Sequence, residues 1–397
     1  MRLLLSVFAM AHRSGAEWFV RDLAIGLNQL GHSVTVYAPV VGDMVDELRR
    51  RSIACVTDLA QMAAVPDLVI GSTRDETVAC LARFPGVPAI SICHDRVAQH
   101  GLPPLFSRIR QYVAVDANCA ERLTLENGIP ASGVVIIQNG VDLERFRPRL
   151  PLPQRPRRAA IFSNYATDNA DTQLVRAVCD KLGIALEVVG SGVGRQAPAP
   201  EAVLAQFDLV FAKARCAMEA MATGCAVLLL NEGMGMAGLV RSTNVENWHL
   251  WNFGRKLLQQ PIDASRLETE ILAYSAEDAC AVADHMRHAG SLTTTASAFA
   301  TLAQSILVAE KSVPPIDPVS ENREFASHLI KNLQPFGAVS AAMQAGVLAE
   351  RLARAESENK ALWVVNQRLK KDVTALYESL SWRFTAPLRW LGDRIGR

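Results

Sequence analysis

Cysteine pairs at metal-ligand spacing are missing from this 397-residue chain: its eight cysteines, at 55, 80, 93, 119, 179, 216, 225 and 280, include no CxxC. Scattered mostly within apolar strand and helix patterns, they read as small core residues of a reducing compartment. They suggest neither a disulfide framework nor a zinc site. An excess of one charge is also lacking, since 41 basic residues against 40 acidic give a net +1. There is then no general pull toward nucleic acid or acidic lipid, and any basic patch is local. No apolar stretch approaches the length of a transmembrane helix. No GxGxxG follows the first apolar run, which argues against a nicotinamide-dependent dehydrogenase.

What is present is a globular composition, half hydrophobic and one fifth charged. At this length the chain exceeds one hydrophobic core, so two core-bearing domains with extra elements are expected. Met1 to Ala11 has the composition of a short signal peptide, but Leu3 to Phe8 leads at once into Ser14-Gly15-Ala16-Glu17. It is therefore expected to be the first strand of a strand-loop-helix unit. A helix follows over Ala16 to Leu30 with Phe19, Leu23 and Leu27 facing the core, then apolar runs at Ser33–Tyr37, Leu68–Ile70, Ala89–Cys93, Tyr112–Val115 and Val134–Ile137. Helical patterns at Asp75–Phe84 and Asn118–Asn127 separate them. This alternation is the βαβ rhythm of a parallel sheet. The proline-rich Pro151–Pro156 reads as a linker. The rhythm restarts at Ala159–Phe162, Asp171–Leu182 and Ala185–Val189.

The expected layout is a Rossmann-like domain over 1–150, a linker over 151–157, a second such domain over 158–311, a linker over 312–340, a coiled coil over 341–378 and a tail over 379–397. Heptad spacing carries the coiled coil: Leu348, Ala355, Leu362, Leu369 and Leu376 lie seven apart, with Leu352, Asn359, Asn366 and Val373 at the other seam position. Asparagine at a positions favours a parallel dimer in register. In the tail, Phe384, Leu388, Leu391 and Ile395 share a helical face flanked by Arg383, Arg389, Arg394 and Arg397. That pattern fits a helix lying in a membrane interface, and also a helix docked on protein.

Residues 208–227 carry the most chemistry. Leu209–Phe211 reads as a strand, Ala217–Ala222 as a short helix stopped by Gly224, and Cys225–Leu230 as the next strand. Lys213, Arg215 and Glu219 then fall on the loop and first helical turns, at the carboxyl end of a strand where open α/β sheets bind ligands. Two cations there suit a diphosphate, and one carboxylate suits a ribose diol. Taken alone, the segment fits solvated loop charges equally well. Elsewhere, His94 lies at a strand's carboxyl end, and Ser14 and Gly15 form a small-residue turn after the first strand.

Ser14-Gly-Ala-Glu17, Asn139-Gly-Val-Asp142 with Phe146, and Glu219-Ala-Met-Ala-Thr-Gly-Cys-Ala-Val227, in that order, resemble the GT-B glycosyltransferases of the large retaining group (family 4, group 1). The likeness covers most of residues 1–310. It implies two doubly wound Rossmann-like domains facing a cleft, a nucleoside diphosphate sugar as donor, Glu219 on the donor ribose, His94 on the transferred sugar and Gly15 near phosphates or acceptor, with no cofactor and no metal. The Ser381–Arg389 ending is similar to one common in bacterial polysaccharide glycosyltransferases. It implies a glycan or lipid-linked acceptor in envelope synthesis, in the cytoplasm or at the inner face of the membrane. Two features depart from the group. The usual carboxylate upstream of the glutamate is absent around Phe211, and the usual lysine and arginine after the second domain's first strand are replaced by Phe162-Ser163-Asn164-Tyr165. Ser163 and Asn164 then become donor-side candidates, with Lys213 and Arg215 taking the diphosphate from the opposite loop. A sugar-nucleotide epimerase and a catalytically idle, glycosyltransferase-like scaffold remain as alternatives.

Overall fold

The computed structural model describes residues 1–11, 15–164, 166–195, 197, 199–331 and the isolated positions 365, 368, 369, 371 and 375. They fall into two units, Met1–Glu324 and Phe325–Arg397. Residues 325–331 of the second unit are helical. Apart from the isolated positions, the coiled coil expected over 341–378 and the tail over 379–397 lie outside the described residues.

The first unit holds two large sheets and one two-stranded sheet. Strands β1 (Arg2–Ser6), β2 (Ala9–Met10), β3 (Ser33–Tyr37), β4 (Val40–Val41), β5 (Ala54–Val56), β6 (Leu68–Gly71), β7 (Ala89–Cys93), β8 (Ile109–Ala114) and β9 (Val134–Ile136) belong to the first domain. Seven of them form a sheet in the order β5-β3-β1-β6-β7-β8-β9, while β2 pairs with β4. The pairing of β1 with both neighbours is parallel, with Leu3 opposite Val34 and Leu68. Leu3, Leu4 and Leu5 are buried on both faces, as continuous apolar strands of a parallel sheet are when helices cover both sides. Those helices are α1 (Gly15–Gln29), α2 (Met44–Arg49), α3 (Arg74–Arg83) and α4 (Ala117–Glu121), the last continued by a π-helical turn over Arg122–Glu126. Phe19, Leu23 and Leu27 of α1 are buried as their spacing requires.

The second domain has β10 (Arg158–Phe162), β11 (Ala185–Val189), β12 (Leu209–Ala212), β13 (Ala226–Asn231) and β14 (Gly235–Leu239), in the order β11-β10-β12-β13-β14. All pair in parallel except β14, which runs antiparallel on β13. Helices α5 (Ala170–Lys181), α6 (Pro200–Leu204), α7 (Ala214–Thr223), α8 (Val245–His249), α9 (Ala264–Leu272), α10 (Ala276–Ala289) and α11 (Leu292–Glu310) complete it in sequence. Gly224 ends α7 at φ 95, a left-handed position that glycine adopts without steric cost. Two doubly wound, Rossmann-like domains result, the GT-B layout.

The structure corrects three expectations. The chain crosses between domains at 138–142 and returns at 290–292, rather than at the proline-rich segment. Val141 and Leu292 mark the crossing, since Val141 donates to the Gly290 carbonyl at 2.8 Å and Leu292 to the Val141 carbonyl at 2.9 Å. A Cβ on Gly140 would lie 2.6 Å from Leu292 Cα, so the glycine of Asn139-Gly-Val-Asp142 permits the two crossing strands of chain to touch. The segment around Pro151 is held on the second domain instead, with Arg149 paired to Asp208 at 2.9 Å and Tyr274 donating to the Pro153 carbonyl.

Helix α11, placed by sequence in the second domain, packs on α1 of the first. Its Phe299 ring meets Phe19 at 5.9 Å and its Ala296 sits against Gly26. At 19 residues and mean hydropathy 1.3 it is also long and apolar enough by composition to span a membrane. The sequence reading missed it because threonine, serine and alanine dilute the run; Ala296, Phe299, Ala303 and Ile306 are buried. Lastly, part of the linker expected over 312–340 is helical from residue 318. Asp317 accepts from the Ser320 backbone at 3.0 Å and Pro318 occupies the first turn, a strong N-terminal signal. Glu321 of this helix pairs with the buried Arg108.

Candidate functional site

Both sheets reverse strand order at one point, between β1 and β6 in the first domain and between β10 and β12 in the second. Crevices at such switch points, outside the carboxyl ends of the strands, are where open α/β sheets bind ligands. One cavity of ≈ 180 Å³ lies at both. Gly15 and Trp18 of α1 line it from the first domain; Ser163 and Asn164 after β10, Lys213 after β12, and Arg215 and Glu219 of α7 line it from the second. Six residues chosen from sequence therefore meet in one place, while Ser14 lies outside the described residues. His94 is not in the lining. It follows β7 and sets its ring edge-on to Phe19, with centroids 4.7 Å apart.

The two expected phosphate cations have different surroundings. Arg215 reaches across the cleft to Asp22 of α1, and its Nε donates to Glu219 Oε1 at 2.7 Å. Asp22, only 1% exposed, also pairs with Arg21, which in turn pairs with Glu47 at 2.8 Å. Burial opposes charge on Asp22, yet Arg215 and Arg21 hold its carboxyl below the usual range. Burial likewise disfavours charge on Arg215, but Asp22 and Glu219 overcome it and raise its pKa. Burial raises Glu219, with Arg215 pulling the other way. Arg215 is therefore neutralised by two carboxylates, and Glu219 already has a partner. Lys213 differs: its ammonium has no hydrogen bond or ion pair among the described residues, and burial and then Arg255 push it below its ordinary value.

Sequence reasoning missed Trp18, Asp22, Arg145 and Arg255. Trp18 carries three guanidinium groups over its ring, from Arg145 at 4.8 Å, Arg21 at 5.3 Å and Arg215 at 5.6 Å, an arrangement that stabilises cations at a partly dry wall. Gly15, Trp18 and Asp22 lie at helical spacing on one face of α1. That spacing was available in the sequence, but nothing there showed that the face looks into the cleft. Phe211, where a carboxylate was expected, is 1% exposed and packs in the core on the far side of β12. Ala214, which opens α7, holds φ 47 and donates its N–H to the Phe253 carbonyl at 2.8 Å, a left-handed strain of the kind retained at functional sites. The His94 side chain has its Nε2 buried without a hydrogen-bond partner, and burial lowers its pKa to about 4. It is a neutral ring whose Nε2 is enclosed by protein.

Residues 13–145 match the family model Glycosyltransferase Family 4. The match spans about one third of the chain, within the first domain. The complete two-domain arrangement is similar to the crystal structure of a glycosyltransferase from Rickettsia africae ESF-5, at 14% identity and TM-score 0.54, over 77% of this chain and 98% of that one. Anabaena Alr3699/HepE in complex with UDP and glucose is as similar, at 14% identity and TM-score 0.54, over 77% of this chain and all of that one. Its complex with UDP-glucose gives TM-score 0.53 over the same shares. At these identities the likeness establishes the fold. No curated protein matches the chain. The matched region includes Trp18, Asp22 and His94 and ends at Arg145, whose Nε pairs with Glu201 of the second domain at 2.8 Å.

Proposed function

We propose that the chain is a glycosyltransferase that moves a sugar from a nucleoside diphosphate sugar to a glycan or lipid-linked acceptor in cell-envelope polysaccharide synthesis, without a metal. The observation that carries the reading is the cavity at both switch points, which joins Lys213, unpaired among the described residues, to the buried Glu219. A uridine nucleotide is the first donor to try, because Alr3699/HepE, of the same fold, holds UDP and glucose.

In the proposed reaction the acceptor hydroxyl attacks the anomeric carbon, the bond from that carbon to the diphosphate oxygen breaks, the nucleoside diphosphate leaves with the electron pair, and the hydroxyl proton passes to the departing diphosphate oxygen. Lys213, at the N-terminal end of α7, offsets that developing charge as a preorganised cation in a partly dry site. His94, neutral above about pH 4, hydrogen-bonds a sugar hydroxyl. Glu219 holds the ribose diol once Arg215 yields it. Arg215 serves the donor through this exchange, since its guanidinium is engaged across the cleft in the ligand-free chain.

A thermal-shift screen against nucleotides and nucleotide sugars tests the reading. A cleft ligand at a hundredfold over its Kd stabilises the fold by about 2.7 kcal/mol. No shift with any donor would favour the non-catalytic scaffold, which the pairing of Glu219 and the absence of a carboxylate at Phe211 also suit. Turnover of the donor without any acceptor would favour an epimerase.

A further inference from the structure

The loop after α8 approaches the site from a side that no sequence motif marks. Its course is fixed at three points: the Phe253 carbonyl accepts the Ala214 N–H at 2.8 Å, the Leu250 carbonyl accepts the Ala117 N–H at 2.9 Å, and Lys256 pairs with Glu121 at 3.3 Å. Within it Asn252 and Phe253 hold φ 52 and 49. Two consecutive non-glycine residues in the left-handed region persist only where the surroundings over-determine them. The bond to Ala214 ties the loop to the residue beside Lys213, and Arg255 lies two residues past that tie.

Arg255 and Lys213 are thus held near one another, and the charge of Arg255 adds to burial in disfavouring the Lys213 ammonium. Asp95, across the cleft beside His94, acts on Lys213 in the opposite sense, but its Oδ1 is occupied by the Val97 and Ala98 N–H groups at 2.6 and 2.8 Å. Among the described residues neither the Arg255 guanidinium nor the Lys213 ammonium has a hydrogen bond or ion pair. Their neighbours Lys256 and Arg215 are both paired. An anion bound between Lys213 and Arg255 offsets both charges.

We propose that Lys213 and Arg255 form a two-cation clamp for the diphosphate of a nucleoside diphosphate donor, with Lys213 reaching from the start of α7 and Arg255 from the loop after α8. The clamp rests on the nucleotide-sugar reading above. It assigns the diphosphate to a residue outside the expected motifs, and it leaves Arg215 to join the domains. The second phosphate is what two cations recognise; a monophosphate engages one of them.

Titration calorimetry on the full-length protein tests the clamp, with uridine, UMP and UDP as probes and the adenosine and guanosine series beside them. In the unaltered protein the step from mono- to diphosphate is expected to raise affinity about tenfold or more, the range of one added charged hydrogen bond. Arg255→Ala is expected to abolish that step while leaving nucleoside and monophosphate affinities unchanged, and Arg255→Lys to restore part of it. Arg255 is exposed, so these variants fold. A full diphosphate step in Arg255→Ala overturns the clamp, as does an equal loss for all three ligands, which would mark mere support of the loop. Binding of inorganic pyrophosphate without any nucleotide preference would assign the cations to a pyrophosphate-bearing acceptor and overturn the donor assignment. Failure of the unaltered protein to bind any nucleoside or nucleotide overturns the nucleotide-sugar reading, and the clamp with it.

Discussion

Lys213 and Arg215 are two positions apart and carry the same charge, yet their surroundings differ: Arg215 pairs with Asp22 and Glu219, and Lys213 has no hydrogen bond or ion pair among the described residues. Truncating Lys213 breaks no hydrogen bond or ion pair among the described residues, so Lys213→Ala is expected to change unfolding stability by no more than about 1 kcal/mol. Its kcat/KM for the nucleotide sugar should fall by about 10²-fold or more, the scale of a lost preorganised charge at a leaving group. Unchanged steady-state kinetics in that variant would remove Lys213 from the mechanism. Two histidines also speak at this scale. Burial lowers His94 and His249 to about 4, the second with help from His285. The unfolded chain takes up these protons near 6.5 and the folded chain only near 4. The stability they contribute is therefore complete above about pH 6.5 and is lost as pH falls from there toward 4. Urea midpoints measured across that window should show the fall, and His249→Asn should make it shallower; an unchanged slope would mean that His249 is solvated.

Among the elements, α1 and α7 matter most, because each ends a switch-point strand and each carries charges at helical spacing toward the other. Trp18 and Asp22 repeat four apart on α1, as do Arg215 and Glu219 on α7. The Asp22–Arg215 contact joins the two sets across the cleft. Asp22 is almost wholly buried, so removing its charge strands two arginines in a dry setting. Asp22→Asn is expected to cost about 3–5 kcal/mol, the usual penalty for breaking one partner of a buried pair. Chemical denaturation reads it directly, and a cost below about 1 kcal/mol would show the contact to be solvated. Gly140 shows an element-scale feature that a motif marks without explaining: the sequence supplies Asn139-Gly-Val-Asp142, and only the returning backbone at Leu292 shows why a side chain is excluded there.

For the whole molecule, the inner strands and α1 were legible because apolar periodicity and the residues that open and close helices act over a few positions. Ser33–Tyr37, Ala89–Cys93 and Ala185–Val189 have the same ends in sequence and structure. Elements with weak local signals escaped, such as β14, which pairs antiparallel with β13, and α11, whose partner α1 lies more than 260 residues earlier in the chain. The coiled coil expected over 341–378 belongs to this scale too. Removing residues from about 340 onward should abolish dimerisation and vesicle binding while leaving nucleotide affinity intact, because the cavity is built within residues 15–219. Light scattering after size exclusion and vesicle sedimentation measure these outcomes, and a truncated protein that stays dimeric refutes the heptad reading.

The sequence by itself determined two βαβ domains, the strand ends that meet at one cavity, and six of the side chains that line it, since each follows from the short-range order of apolar and polar residues. Only the tertiary structure decided what those side chains do. It paired Arg215 with Asp22 from another domain, left Lys213 beside Arg255, and placed the crossing at Gly140 instead of the proline-rich segment. Charge pairing and close backbone approach depend on distances between residues far apart in the chain, and no local pattern encodes those distances.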